Sequence, residues 1–419
     1  MYLNFDIDEK LIELSLDVES TLQEKFHEYD QTALLNSAKV LSAFQRHGVS
    51  NYDFAEVTGY GYTDEGRDKL EAIYADIFGA EDALVRPQIM SGTHAISLTL
   101  FGLLRHGDTM LAISGRPYDS LQTVIGLSGD SRNSLIKHGI KYEEIDLVND
   151  DFNIPAILNR LQKGDIKLVE IQRSRGYSAR KSIVIDKIKH VCDEIRKVDK
   201  NVIIMVDNCY GDFVEDKEPT NVGADVIVGS HMKNLGGGIA KTGGYIVGKK
   251  EYILDIAETF SAPGLGKNIG ANLNTLLSFY KGLYLAPSVV CNALKTMTFA
   301  SAMLEKLGFK VDPTWDEKRT DIIQTIDLFK PENLVNFCVG IQKGSPIESY
   351  VTPVPAPMPG YADEEVMAGG SFISGSTIEL SCDGPMKYPY TSYMQGGLTY
   401  EYGKLGILIG LNEIIKTIK

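Results

Sequence analysis

Short, almost wholly apolar segments alternate with longer segments of helical pattern through the middle of this chain, and that alternation restricts its fold most. Three of the apolar segments are IKLVEIQ, NVIIMVD and ADVIVG, at residues 166–172, 201–207 and 224–229. Strands that helices cover on both faces are apolar along their whole length, as in a mostly parallel sheet. The sequence therefore predicts a large α/β domain built around such a sheet.

The rest of the chain predicts two further parts. Residues 1–50 have a helical pattern with a polar face and are expected to form an N-terminal arm. Residues 51–290 are expected to form the large domain, and residues 291–419 a smaller α+β domain. In the smaller domain, residues 351–375 are rich in Pro and Gly. This stretch is too long for an ordinary connection, which predicts a functional loop.

Composition argues against several classes of protein. The chain has 56 acidic and 42 basic residues, and its net charge of −14 argues against nucleic acid or an anionic membrane as a partner. The five cysteines are scattered without a CxxC pair, so we predict neither a disulfide framework nor a metal site. Residues 1–20 lack the apolar core of a secretory signal, and no segment is apolar enough to span a bilayer. We expect a cytoplasmic protein.

Polar side chains follow the predicted strands where each strand ends. Asp207 follows NVIIMV, Ser230 and Lys233 follow ADVIVG, and Arg173 and Arg175 follow IKLVEIQ. In parallel α/β sheets, ligands bind outside the carboxyl ends of the strands. The sequence therefore predicts that these side chains lie close together at one edge of the sheet.

These residue types match what pyridoxal 5′-phosphate requires of a protein. That cofactor takes an amine for a Schiff base, a carboxylate beside its ring nitrogen and a site for its phosphate. Lys233 supplies the amine, and we expect partial burial to lower its pKa and make it nucleophilic. Asp207 is the predicted partner of the ring nitrogen.

The phosphate is expected to bind where the segment SGTHAI begins a helix. The backbone N–H groups that follow Ser91 are free at a helix N-terminus, so Gly92 and Thr93 are predicted to hold an anion. Ser230 can add a hydroxyl to the phosphate, and Tyr118 can stack on the ring. Each of these residues alone has an ordinary structural explanation, such as a cap or a surface charge. Their occurrence together, in this order, favours the cofactor.

The order of the motifs SGTHAI, YDSL, VDNCYGDF and SHMKNLGG resembles that of the fold-type I pyridoxal-phosphate enzymes of cysteine and methionine metabolism. It most resembles the bacterial aluminium-resistance proteins, which are methionine gamma-lyase-like members of the cystathionine beta-lyase family. The resemblance runs from about residue 30 to the C-terminus. It implies an aspartate-aminotransferase-like large domain with a mostly parallel, seven-stranded sheet.

The resemblance also implies roles for individual residues. Lys233 would be the Schiff-base lysine and Tyr118 the ring-stacking tyrosine, both of them catalytic. Ser91, Gly92, Thr93, Asp207 and Ser230 would bind the cofactor. The family further implies a homotetramer with sites shared between subunits. Tyr60, in the loop GYGY, would then reach the phosphate in the neighbouring subunit.

Two positions depart from the family pattern. Lyases carry an arginine for the substrate carboxylate where this chain has Glu379, and another arginine where it has Gly61. An acid cannot bind a carboxylate, so substrate recognition must differ. Because the arginine fork suits carboxylates, we assign this role to Arg173 and Arg175. The other cations considered for this role are Arg180 and Lys387.

The function that the resemblance implies is a carbon–sulfur lyase acting on a sulfur-containing amino acid such as cystathionine, methionine or cysteine. The expected course is Schiff-base formation, removal of the Cα proton by Lys233, and β- or γ-elimination of the thiol. One alternative is an aminotransferase or aldolase that uses the same cofactor, which Glu379 makes credible. Another is a cofactor-binding stress-resistance protein with little catalysis.

Overall fold

The structure is a computed structural model and describes residues 5–358 and 363–418 of the chain. It consists of two compact units: a large unit, Asn36–Tyr284, and a small unit, Met1–Leu35 with Leu285–Lys419. The predicted boundaries, after residues 50 and 290, differ from these. The beginning of the predicted arm groups with the C-terminal part of the chain, whereas residues 36–50 group with the large unit.

Eleven α-helices occur in the described part of the chain. They are α1 (Glu9–Thr21), α2 (Gln23–Arg46), α3 (Glu65–Phe78), α4 (Gly92–Leu103), α5 (Asp119–Ile125), α6 (Ile154–Leu161), α7 (Ile185–Val198), α8 (Lys250–Phe260), α9 (Leu276–Lys306), α10 (Pro331–Lys343) and α11 (Tyr400–Ile418). No helix among the described residues combines the length and the apolar character needed to cross a membrane.

The large unit contains a seven-stranded sheet, as predicted. Its strands are β1 (Asp82–Arg86), β2 (Thr109–Ala112), β3 (Lys141–Glu144), β4 (Ile166–Gln172), β5 (Ile203–Asp207), β6 (Val226–Ser230) and β7 (Gly244–Gly248). They lie in the order β1-β7-β6-β5-β4-β2-β3. Strands β3, β2, β4, β5 and β6 pair in parallel, and β7 and β1 pair antiparallel. The carboxyl ends of β2, β4, β5 and β6 therefore meet at one edge.

An apolar layer on one face of this sheet fixes its helices. Leu168, Met205 and Val226 project from the sheet, and Ile96 and Ile256 come from α4 and α8. All five side chains are at most 1% exposed. Burial of an aliphatic side chain of this size stabilises a fold by about 1.5–3 kcal/mol. The layer thus sets the position of α4, whose N-terminus lies beside the carboxyl end of β6: a Cβ on Gly92 would be in van der Waals contact with the Ser230 Cβ, at 3.7 Å.

The small unit contains an antiparallel sheet of five strands. Its strands are β8 (Lys310–Asp312), β9 (Ile323–Asp327), β10 (Glu365–Ala368), β11 (Ser381–Pro385) and β12 (Thr391–Gln395), in the order β10-β11-β12-β9-β8. Helices α10 and α11 pack closely because Gly340 faces Gly410: a Cβ on Gly340 would lie 2.5 Å from the Gly410 Cα. The α+β prediction is thereby confirmed. Strand β10 lies within residues 351–375, so the predicted loop is wrong for that part, and residues 359–362 of the same stretch lie outside the described residues.

Candidate functional site

The end of β5 places Asp207 at the edge where the parallel strands meet. Asp207 lies beside Gln172 of β4 and Val228 of β6, and its side chain is 4% exposed. Its Oδ1 accepts the Cys209 N–H at 3.1 Å. Burial raises the pKa of this carboxyl, and the charge of Lys233 opposes that rise. Asp207 is therefore a buried carboxyl with a cationic neighbour, as expected of the partner of a protonated ring nitrogen.

Lys233 lies in the turn that follows β6, after His231 and Met232, and is half-buried. Its Nζ lies 3.8 Å from the ring centroid of Tyr210. Burial opposes the charge on Lys233, but its electrostatic interactions with Cys209, Tyr210 and Asp207 outweigh burial and raise its pKa above the ordinary value. The predicted lowering of this pKa is therefore wrong. The prediction considered burial alone and missed the acidic groups that other elements bring to the amine.

Tyr210 was missed at the sequence level, and its backbone is held in an uncommon conformation. Its φ is +70°, in the left-handed region, which costs a residue other than glycine about 1–3 kcal/mol. The Asn234 side chain donates to the carbonyl oxygens of Tyr210, at 3.0 Å, and of Asp212, at 2.8 Å. Asn234 directly follows Lys233, so this contact ties the loop after β5 to the lysine.

The N-terminus of α4 lies at the same edge. Ser91 caps the helix, because its Oγ accepts the His94 N–H at 3.1 Å. A Cβ on Gly92 would lie 2.9 Å from the Cys209 sulfur and 3.7 Å from the Ser230 Cβ. The predicted phosphate-binding segment therefore approaches both β5 and β6. The Ser91 side chain is used to cap the helix. The space next to Gly92 is too small for a side chain at that position.

Three hydroxyl groups form a cluster next to this helix N-terminus. Thr93 Oγ1 lies 3.1 Å from the Tyr118 hydroxyl and 3.2 Å from the Ser120 Oγ. The Tyr118 N–H donates to Gln172 Oε1 at 3.0 Å, which fixes the tyrosine to β4. Burial raises the pKa of the half-buried Tyr118 phenol, so it stays a neutral donor. Ser120 was also missed, although its place at the start of a helix within YDSL was a usable signal.

Ser230 completes the group from the end of β6. It is 1% exposed, and its Oγ accepts the Met232 N–H at 3.2 Å. The structure thus brings together the residues predicted for the amine, the ring nitrogen and the phosphate. An amine, a carboxyl, a helix N-terminus and nearby hydroxyls are the groups that pyridoxal 5′-phosphate requires. The residues present fit that cofactor.

Arg173, by contrast, is not placed to bind a substrate. Its side chain is inaccessible, with ion pairs to Glu215 at 3.2 Å and Glu218 at 3.6 Å. Its Nη1 donates to Asn208 Oδ1 at 2.7 Å and to the Gly211 carbonyl at 3.0 Å. We therefore correct the expectation for Arg173. Its guanidinium holds the loop after β5 in place and has no surface left for a carboxylate ligand.

The two other arginines after β4 lie in one loop. Arg175 is 4% exposed, and its Nη2 donates to the Ala179 carbonyl at 3.1 Å. Arg180 is half-buried and donates to the carbonyl oxygens of Gln172, at 2.7 Å, and Ser174, at 2.8 Å. The charge of Arg180, like that of Lys233, opposes the rise that burial causes in the pKa of Asp207. Arg180 is therefore the loop cation whose position next to the site is best supported.

The GYGY loop explains one departure from the lyase pattern. Gly61 has φ +62°, and a Cβ there would lie 3.0 Å from the backbone of Gly270 and Ala271. An arginine at this position would be strained and would clash. Tyr60 is 70% exposed and stacks on Tyr62 with centroids 5.3 Å apart. Its proposed contact with a neighbouring subunit stays a prediction.

Glu379 explains the other departure, within the small unit. Its carboxylate is buried and accepts the backbone N–H groups of Phe372, at 2.8 Å, and Ile373, at 3.1 Å. Only an acceptor can serve both N–H groups, so an arginine would leave them unsatisfied. Glu379 organises a loop, as an acid at this position can. The alternative cation Lys387 is exposed and lies 3.7 Å from Asp363.

His231 is a buried structural residue next to the lysine. Its Nε2 lies 2.8 Å from the Tyr74 hydroxyl, and its ring packs on Phe279 with centroids 4.3 Å apart. Burial lowers the pKa of His231 to about 3, so its ring is neutral. It supports the start of the Lys233 turn and carries no charge into the site.

Comparisons with known proteins agree with this geometry. The family model described as Methionine gamma-lyase matches residues 11–415. A Listeria monocytogenes structure, described as a candidate cystathionine beta-lyase involved in aluminium resistance, is 46% identical, covers 96% of this chain and 99% of its own, and has a TM-score of 0.94. A Clostridium acetobutylicum structure with the same description is 45% identical over 98% and 96%, with a TM-score of 0.95. The Bacillus subtilis protein YnbB, described as uncharacterized, is 46% identical over 97% of both chains.

Proposed function

Because the chain belongs to the methionine gamma-lyase family, we propose that it is a pyridoxal-phosphate-dependent lyase that cleaves a carbon–sulfur bond in an amino acid. One observation carries this proposal. The Lys233 amine, the Asp207 carboxyl and the N-terminus of α4 lie at one edge of the large sheet. Relatives described as candidate cystathionine beta-lyases support the class of substrate.

When bound, the cofactor would supply an electron sink for the carbanion formed at the substrate Cα. The protein's own part is binding and proton transfer. Lys233 would hold the cofactor covalently and carry the Cα proton, and Asp207 would keep a proton on the ring nitrogen. The N–H groups of Gly92 and Thr93, with hydroxyls of Ser120 and Ser230, would hold the phosphate.

For the substrate carboxylate, we propose Arg180 together with Arg175. Both belong to the loop after β4, and the charge of Arg180 reaches Asp207. Arg173 is omitted because its guanidinium is enclosed by Glu215, Glu218 and Asn208. A change of Arg180 to Lys would test this assignment, because lysine keeps the charge and loses the planar fork. We expect a higher KM for the amino acid with little change in cofactor content.

We also propose a homo-oligomer, in line with the family. The exposed, stacked Tyr60–Tyr62 pair lies on a loop that is firmly tied to its own chain, because Arg67 donates to the Gly61 carbonyl at 2.7 Å. A rigid, exposed aromatic pair suits a protein contact. Light scattering of purified protein would measure its mass, and a monomer would contradict the proposal.

The test of the function is a product assay combined with spectroscopy. Purified protein is incubated with cystathionine, methionine and cysteine, and thiol, ammonia and oxo-acid are measured. We expect all three products from at least one substrate, and a near-visible cofactor band that Lys233→Ala lacks. Cofactor binding without any thiol release would contradict the lyase. Oxo-acid with an amine form of the cofactor would instead indicate the aminotransferase alternative.

A further inference from the structure

Glu170 is a buried acid that the proposed function does not use. It lies in the middle of β4, between Ala112 of β2 and Met205 of β5, and has no accessible surface. Within residues 5–358 and 363–418, neither of its carboxyl oxygens has a hydrogen-bond partner. A buried carboxyl without partners is expensive, and its ionised form is far more so. An acid at this strand position therefore comes at a considerable cost in stability.

The sheet register places this acid beneath the candidate site. Side chains two residues apart on a strand share a face, so Glu170 shares the face of Gln172, whose side chain accepts the Tyr118 N–H. Asp207 follows Met205 by two residues on the neighbouring strand, which puts it diagonal to Glu170, at about 7–8 Å. Glu170 thus lies on the same face as Asp207 but two residues farther from the carboxyl edge of the sheet.

The groups that face Glu170 come from several elements. The charges of Asp207 and Arg180 act on it from β5 and from the loop after β4, and Tyr142 faces it from β3. Apolar residues of α4 and α5 form the layer on this face of the sheet, and Tyr118 packs against that layer. Of the two carboxyls, Asp207 has a cation, Lys233, and an N–H donor, whereas Glu170 has neither within hydrogen-bonding distance.

We propose that Glu170 is a positioning residue that acts through Asp207, holding a proton in the neutral range so that Asp207 is the carboxylate of the pair. This rests on the proposed function in one respect, since Asp207 is taken as the partner of the cofactor nitrogen. Two buried carboxyls on one face do not both ionise readily, and the proton stays where stabilising partners are absent. Burial and the Asp207 charge raise the pKa of Glu170 to about 8, in agreement with this arrangement.

The arrangement makes the site sensitive to mildly alkaline pH. When Glu170 loses its proton, a second negative charge appears behind Asp207. That charge favours the protonated form of any group beside Asp207, so such a group would titrate at a higher pH than with a neutral residue in place of Glu170. A unit charge at this separation changes a buried titration by roughly half a pH unit or more.

The experiment uses Glu170→Gln, which copies the neutral acid, and Glu143→Gln as the matched control. Glu143 lies in β3, where it pairs with Arg160 near the surface. The holoprotein is titrated through its cofactor absorbance. Below the neutral range, the absorbance curves of wild type and both variants should coincide, because Glu170 is then protonated. At higher pH, we expect the midpoint of Glu170→Gln to lie roughly half a pH unit or more below that of wild type and of Glu143→Gln. Coincident midpoints would overturn the proposal.

A second readout needs neither cofactor nor activity. Infrared spectra of the protein at neutral pH should contain a protonated carboxylic-acid band that Glu170→Gln lacks and that wild type loses near pH 8. If Glu170→Gln fails to fold, Asp207→Asn replaces it, and the same band should then disappear at a lower pH than in wild type. A band that is absent, or that does not respond to Asp207→Asn, would refute the role of Glu170. An absent cofactor band would refute the proposed function alone.

Discussion

Two buried regions of the large unit handle charge in opposite ways. Behind the loop after β5, the Arg173 guanidinium meets Glu215, Glu218 and the Asn208 side chain, so its charge is compensated. In the same strand region, Glu170 is equally buried but has no hydrogen-bond partner in the described part of the chain. The contacts of Arg173 stabilise a loop, whereas the burial of Glu170 determines which carboxyl of the Glu170–Asp207 pair holds a proton. Burial alone therefore does not distinguish a structural charge from a tuned one.

Removal of the Arg173 guanidinium, whose charge is compensated, is expected to have the largest effect on stability. Arg173→Met would remove the guanidinium that pairs with the buried Glu215 and Glu218. Loss of one partner of a buried pair costs about 3–5 kcal/mol. We expect the free energy of unfolding, measured with urea, to fall by that amount.

The matched control for Arg173→Met is Arg160→Met. Arg160 pairs with Glu143 and Asp165, whose side chains are about half exposed. Pairs with exposed partners contribute little to stability, so the control should lose far less stability. Equal losses in the two variants would show that Arg173 gains nothing from its burial. Partial recovery of stability on adding Glu215→Gln to Arg173→Met would strengthen the interpretation.

Glu170→Gln is expected to give the next largest effect, and its size depends on pH. The pKa of Glu170 is about 8 in the folded protein and 4.5 in its ordinary state. Since the folded value is raised, the contribution of Glu170 to stability is largest below its ordinary pKa and is lost as the pH rises toward 8. Glutamine does not titrate and escapes this loss. The variant should therefore gain about 2 kcal/mol on wild type between pH 6 and pH 8.

Urea unfolding at several pH values measures this gain. Glu143→Gln serves as the control, because its pairing with Arg160 lowers the pKa of Glu143, so its contribution changes only at acidic pH. Its difference from wild type should be constant between pH 6 and pH 8. A constant difference for Glu170→Gln as well would mean that Glu170 is already ionised at neutral pH.

The sequence was sufficient for the sheet and for most of the candidate site, for a physical reason. Fully apolar runs report burial on both faces, and parallel pairing brings strand ends together, so Asp207, Ser230 and Lys233 were predicted to meet. The position of a residue at a strand end does not show on which face of the sheet its side chain lies. Gln172 faces Tyr118, so Arg173, the next residue, lies on the opposite face with Asn208.

The properties that were missed at the sequence level depend on contacts between distant elements. The pKa of Lys233 is set by Cys209, Tyr210 and Asp207, which β5 and its loop bring to the amine. Glu379 was recognised as a departure from the lyase pattern, yet its partners, two backbone N–H groups six and seven residues earlier, are set by a loop conformation. The sequence identified the ionisable side chains, but it did not identify the groups that the fold places next to them.

Glu379 of the small unit is a third way to bury a charge, and its variant is expected to have the smallest effect. Its two carboxylate oxygens each accept one backbone N–H, from Phe372 and Ile373. In Glu379→Gln, the side-chain NH₂ would face one of these N–H groups, and a buried donor without a partner costs about 1–3 kcal/mol. Thermal unfolding should show that loss, with faster hydrogen exchange at Phe372 and Ile373. The exposed Glu348→Gln should change stability by less than about 0.5 kcal/mol and leave that exchange unchanged. Unchanged exchange in Glu379→Gln would mean that the loop holds its shape without the acid, and the two N–H groups would then not explain why an acid occupies the position of the family arginine.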